Sequence, residues 1–173
     1  MNENLPSGIV TFLFTDIENS TRLWEQHPQG MCTAHERHNQ ILRTAIASNQ
    51  GFVFQVVGDA FCAAFHGAGD AARAAVKSQL DLNAENWKNA PIKGRMGNHT
   101  GEAEYETAHG SYNGYISMSR VQRFMSAGCG GQVLLSFSAH KGVHVDLPSG
   151  VTLKDTGTRR LKNLSSPEHI FQL

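Results

Sequence analysis

With 173 residues the chain fits one domain with a sizeable core, read as a single unit over 1–173 with residues 1–7 expected to be loose. Fifteen Lys and Arg balance fifteen Asp and Glu, so no global field favours nucleic acid or an anionic membrane surface. No apolar run is long enough to cross a bilayer, and the first eight residues lack the basic and apolar regions of a signal peptide. Cys32, Cys62 and Cys129 are odd in number and in no C-x-x-C spacing, which suits free thiols in a reducing cytoplasm, each read as a small core residue.

Along the chain, the continuous apolar run Ile9–Phe14 reads as a buried central strand. Asn19, Ser20 and Thr21 supply cap-type side chains before Leu23-Trp24, where a short helix begins. Residues 31, 34, 38, 41, 42, 45 and 46 then recur at helical spacing, and Asn49-Gln50-Gly51 ends that helix. Phe52–Val57 and Ala60–Phe65 are β-rich runs broken by Gly58-Asp59, a hairpin signal with Asp59 at its tip. Gly67 opens an alanine-rich helix reaching about Leu82, and Lys93–Glu104 reads as a strand. Gly110–Gly114 reads as a loop, Met118–Met125 as a helix, Gly128–Gly131 as a turn and Gln132–Ser136 as a strand. Val151–Asp155 and His169–Leu173 are the last strand candidates. Alternating strands and helices with one hairpin favour an α+β sandwich of the ferredoxin-like βαββαβ kind. Its sheet would be mixed but mainly antiparallel, with helices packed on it. No G-x-x-x-x-G-K-[ST] occurs, so a P-loop is not available.

Two aspartates stand out, Asp16 after the first strand and Asp59 at the hairpin tip. Each has a plain structural use, Asp16 as a helix cap and Asp59 as a turn residue. Together they have another. If their strands are sheet neighbours, both carboxylates emerge at one end of the sheet and repel unless a cation lies between them. The backbone amides of Glu18, Asn19, Ser20 and Thr21, at a helix start, would then face phosphates. His35 and His38 sit one turn apart with no third ligand in the pattern, and His99 reads as a packed core residue.

Five segments in order carry a family likeness: Phe14-Thr-Asp-Ile-Glu-Asn-Ser-Thr-Arg-Leu-Trp24, Val57-Gly-Asp-Ala-Phe61, Arg95-Met-Gly-Asn-His-Thr-Gly101-Glu-Ala-Glu104, Gly130-Gly-Gln-Val-Leu-Leu-Ser136 and Arg160-Leu-Lys-Asn-Leu164. From about Gly8 to Leu173 the chain resembles the class III adenylyl/guanylyl cyclase catalytic domain. The resemblance implies a nucleotidyl cyclase that turns a nucleoside triphosphate into a 3′,5′-cyclic nucleotide and pyrophosphate, using two divalent cations, Mg²⁺ or Mn²⁺. It implies Asp16 and Asp59 as metal ligands with the Ile17 carbonyl assisting. It also implies a homodimer in which one subunit supplies the metals and the other the transition-state residues.

By the same resemblance, Arg123 steadies the α-phosphate, allowing one extra residue between Gly114 and Ser119, and Arg120 is the alternative arginine. Ser119 replaces an asparagine that positions the ribose; serine is shorter and carries fewer donors. Lys162 matches a lysine that contacts the terminal phosphates. Gln55 and Ser111 stand where adenylyl cyclases place the lysine and aspartate that read adenine. This pair is compatible with adenine without enforcing it. ATP to cAMP is the first expectation. The alternatives are a cyclase with altered base choice (GTP or a pyrimidine) and a degenerate domain that binds nucleotide or a partner without turnover. Other modules of a longer chain are also compatible with the sequence.

Overall fold

Apolar and β-branched residues over GIVTFLFTDI build strand β1 (Gly8–Ile17), whose middle stretch Val10–Thr15 is entirely buried. The computed structural model that shows this describes residues 5–88, 90–143 and 147–173. Helices α1 (Ser20–Gln26) and α2 (Pro28–Ser48) follow. Pro28 opens α2 at a position where its missing N–H is harmless. The buried residues of α2 are Met31, Ala34, His38, Ile41, Leu42, Ala45 and Ile46, the face that the spacing marks. The hairpin β2 (Phe52–Val57) and β3 (Ala60–Phe65) comes next, then α3 (Ala68–Ala84) and the long β4 (Gly94–Glu106). The chain continues through β5 (Ser111–Asn113), α4 (Tyr115–Ala127), β6 (Val133–Ser136), α5 (Phe137–Val143), β7 (Lys154–Arg159) and β8 (Glu168–Gln172).

The strands run in the order β2-β3-β1-β4-β6-β8-β7, with β5 pairing the far end of β4. Every pairing is antiparallel except β4–β6, which is parallel. The first four main strands with α2 and α3 make the expected βαββαβ unit. Strand β6 extends it beyond α4, a helical crossover of the kind parallel strands require. Residues directly opposite across strands share a face. Leu13, Phe61, Ala63, Met96 and Leu135 lie in one core cluster with the alanines of α3. Val10, Phe12, Phe14, Cys62 and Ala64 lie in another with Val121 and Met125 of α4. Gly97 brings α4 close: a Cβ there would stand 2.4 Å from the backbone nitrogen of Met125.

Several expectations change. Gly110–Gly114 is not all loop, because Ser111–Asn113 pairs with Glu104–Glu106 as an antiparallel arm. Its three residues carry too little pattern to show a strand. Helix α4 begins at Tyr115, not Met118: its first two residues, Tyr115 and Ile116, are exposed and the buried residue of that turn, Ser117, is polar, so no apolar periodicity marks the start. Helix α5 is short and directly follows β6, so no turn signal marks it. The strand expected at Val151–Asp155 lies at Lys154–Arg159, since polar residues of an edge strand give little alternation. Only Cys62 is a core residue; Cys32 and Cys129 are exposed, one on the outer face of α2 and one in a turn. Of the N-terminal residues expected to be loose, 1–4 lie outside the described residues. Pro6 is buried, and Ser7 donates its hydroxyl to Glu104.

Candidate active site

Strand β1 lies between β3 and β4, with Phe14 opposite Cys62 and Asp16 opposite Arg95. The end of β1 therefore adjoins the β2–β3 turn, and Asp16 and Asp59 meet at one end of the sheet. Asp59 sits in the two-residue turn of the hairpin as expected, whereas Asp16 caps no helix, the N-cap of α1 being Asn19. Asp59 Oδ2 accepts a hydrogen bond of 2.8 Å from the Ile17 N–H, across 42 positions of sequence. Asp16 Oδ2 accepts from Arg95, at 3.0 Å from Nε and 2.5 Å from Nη2. Burial, then the neighbouring Asp59 carboxylate, push the Asp16 carboxyl above its usual range, while Arg95 pulls the other way.

Arg95 is a contact of Asp16 that the sequence does not reveal. It stands in a quoted motif, but only the β1–β4 register shows that its guanidinium reaches Asp16. At Asn19 the backbone is left-handed, with φ 57°, and its side chain makes no capping bond. The first-turn amides of α1 therefore gain no side-chain cap, contrary to the expectation from residue type. Glu18, Asn19, Arg22 and Lys93 line a cleft of about 210 Å³ along α1, which neither Asp16 nor Asp59 lines. His38 and His99 are packed core groups. His38 stacks edge-on against Phe61, and His99 Nδ1 lies 2.9 Å from the Ser136 hydroxyl. Burial lowers both imidazoles to about 4.

The remaining candidates lie elsewhere. Ser119 and Arg123 share a face of α4 one turn apart, and both are half-buried. Arg120 pairs with Glu168 at 3.3 Å, whereas Arg123 has no ion pair among the described residues. The alternative arginine is thus already engaged. Gln55 is exposed on β2 opposite Cys62, beside a β-bulge. Ser111 is half-buried on β5 opposite Glu106, and Lys162 is exposed in the turn after β7. Among the described residues, no hydrogen bond joins any of these six to Asp16 or Asp59. Within the protomer, hydrogen bonds join Ile17 to Asp59 and Arg95 to Asp16, while the Glu18 carboxylate accepts from the Gly130 N–H.

A family model, the adenylate and guanylate cyclase catalytic domain, matches residues 3–164. The chain belongs to this cyclase family. An uncharacterized protein of Mycobacterium tuberculosis is 38% identical over 170 residues, covering 97% of this chain and 56% of its own length. The cyclase domain therefore spans about half the length of the curated relative it matches there. The adenylate cyclase of Podospora anserina is 28% identical over 222 residues, covering 97% of this chain and 10% of its own. Among solved structures, an adenylate cyclase from Trypanosoma brucei in its monomeric state superposes with a TM-score of 0.86 at 25% identity, covering 99% of this chain and 92% of that one. A dimeric guanylyl cyclase domain from Blastocladiella emersonii shares the fold, with a TM-score of 0.79 at 15% identity and 98% of each chain covered.

Members of the family use divalent metal ions, and the donors at the end of β1 suit one. Two half-buried carboxylates side by side are hard oxygen ligands with negative charge to neutralise. Among the described residues no cluster of three or more His, Cys, Asp or Glu could hold a metal alone. No helix among the described residues is long and apolar enough to cross a membrane.

Proposed function

We propose that this domain is a nucleotidyl cyclase that converts a nucleoside triphosphate, ATP first, into a 3′,5′-cyclic nucleotide and pyrophosphate at a site shared between two copies. The observation that carries this reading is the convergence of Asp16 and Asp59, joined through the Ile17 N–H, in a chain of the cyclase family. Asp16, Asp59 and the Ile17 carbonyl hold two divalent cations, Mg²⁺ or Mn²⁺. Such cations supply Lewis acidity toward the ribose 3′-hydroxyl and charge neutralisation at the phosphates.

The chain's own groups do the rest. First-turn amides at Glu18–Thr21 and the Arg95 guanidinium face the phosphate chain. From the partner subunit, Arg123 meets negative charge growing on the α-phosphate, Ser119 orients the ribose and Lys162 binds the terminal phosphates. Gln55 and Ser111 read the base edge. Each can donate or accept, so selectivity for adenine over guanine is modest. The large exposed apolar groups Ile9, Tyr115 and Ile116 support pairing of two copies, with Tyr115 81% and Ile116 71% exposed on the helix that carries Arg123. Exposed thiols at Cys32 and Cys129 suit a reducing cytoplasm.

Mixing inactive chains tests the shared site. Asp59→Ala and Arg123→Ala homodimers should each lose activity by about 10²-fold or more. Random mixing should restore about a quarter of wild-type activity, because half the dimers then carry one intact site. No recovery in verified mixed dimers would remove the shared-site reading.

A further inference from the structure

The turn Gly128-Cys129-Gly130-Gly131, which the reading above leaves without a role, links α4 to β6 and so sets the exit of the helix that bears Arg123. Its backbone is lashed down on all sides. The Gly128 N–H donates to the Met125 carbonyl at 3.1 Å, and the Gly131 N–H donates to the Gly94 carbonyl at 2.7 Å. The Cys129 N–H donates to Gln132 Oε1 at 2.8 Å. The Gly130 N–H donates to Glu18 Oε1 at 2.9 Å, across 112 positions of sequence. Glycine is needed there for close approach. A Cβ on Gly130 would stand 2.6 Å from Lys93 Cβ and 2.8 Å from Glu18 Oε2. Glu18 is itself anchored, its N–H donating to the Lys93 carbonyl at 2.9 Å. Its carboxylate is thus committed to the turn, although its backbone directly follows Asp16 and Ile17.

We propose that Glu18 is a positioning residue that acts through this turn on α4 of its own chain. By fixing the C-terminal end of α4 it sets where Arg123 stands in the site completed by the partner subunit. Glu18 therefore serves the opposite active site from the one served by its neighbours Asp16 and Ile17. This inference rests on the shared-site reading.

Three observations test it together. In homodimers, Glu18→Ala should lower kcat about tenfold, since a misplaced transition-state group is costly even at small displacement. KM and the Mn²⁺ affinity read by electron paramagnetic resonance should stay within about twofold of wild type, because only α4 is displaced. Glu18→Gln keeps a carbonyl acceptor for the Gly130 N–H and should recover most of the loss. Mixed dimers then assign the side on which Glu18 acts. Paired with an Asp59→Ala chain, the Glu18→Ala chain supplies the metals and the other chain supplies a well-placed Arg123, so activity should reach that of the Asp59→Ala/Arg123→Ala control. Paired with an Arg123→Ala chain, the only complete site draws its arginine from the Glu18→Ala chain and should stay about tenfold low.

The reverse pattern, or equal behaviour in both pairs, would overturn the proposal. Gly130→Ala strains the same contact from the other side and should reproduce the pattern if Glu18→Ala does not fold. A control pair that fails to recover would instead defeat the shared site itself, a separate result.

Discussion

Asp16 and Asp59 hold two carboxylates close together at the end of a buried strand, and burial with mutual repulsion raises the proton affinity of Asp16. Charge here opposes folding of the metal-free protein. Asn at position 59 keeps an acceptor for the Ile17 N–H while removing the repulsion. Asp59→Asn should therefore raise the melting temperature of the metal-free domain by about 2–4 °C, for roughly 1 kcal/mol, while activity falls about 10²-fold or more. Calorimetry in chelator checks it; a lower melting temperature would mean that Arg95 already compensates both charges. The buried histidines set a second dependence. His38 and His99 titrate at about 4 in the fold against 6.5 as ordinary histidines. Between these values the unfolded chain binds more protons, so stability is full above pH 6.5 and is lost as pH falls toward 4. Calorimetry at pH 7 and pH 5 should show the fall, with a shallower slope in His38→Leu; an unchanged slope would remove His38 as a cause.

Helix α4 and strand β4 meet backbone to backbone at Gly97, where a Cβ would stand 2.4 Å from the Met125 nitrogen and 2.9 Å from the Val121 carbonyl oxygen. No side chain can yield there, so Gly97→Ala must lift the helix that carries Ser119 and Arg123. It should destabilise the domain by about 1–3 kcal/mol and lower kcat by more than the folded fraction explains. Thermal melts with active-site titration would separate the two effects, and a full kcat per folded molecule would contradict this placement of Arg123. The same scale shows what sequence makes legible. The α2 face at residues 31–46 and the Gly58-Asp59 hairpin are strong patterns, because burial on one side imposes a period and a tight turn imposes residue types. β5 and α5 are set by pairing and packing with distant residues, and three to seven residues cannot display that.

At the scale of the molecule, the sheet order places β1 between β3 and β4, and this alone brings Asp16, Asp59 and Arg95 together. The aspartates were legible as a pair because each follows an apolar run. Arg95 was not, since its reach depends on a register between residues 79 positions apart. Likewise the bond from Gly130 to Glu18 joins residues 112 positions apart, and only the fold shows what the glycine turn holds. Among the described residues Arg123, Ser119, Gln55, Ser111 and Lys162 make no hydrogen bond to the carboxylates of their own protomer, and the proposed shared site gives them a partner's nucleotide to meet. The most direct measurement is mass spectrometry of the products formed from ATP, GTP, CTP and UTP with Mn²⁺, beside an Asp59→Ala control. A cyclic nucleotide, from ATP above all, that vanishes in the control is the predicted result. No cyclic product from any of the four, with the protein folded and dimeric, would contradict the cyclase account and leave a nucleotide-binding domain without turnover.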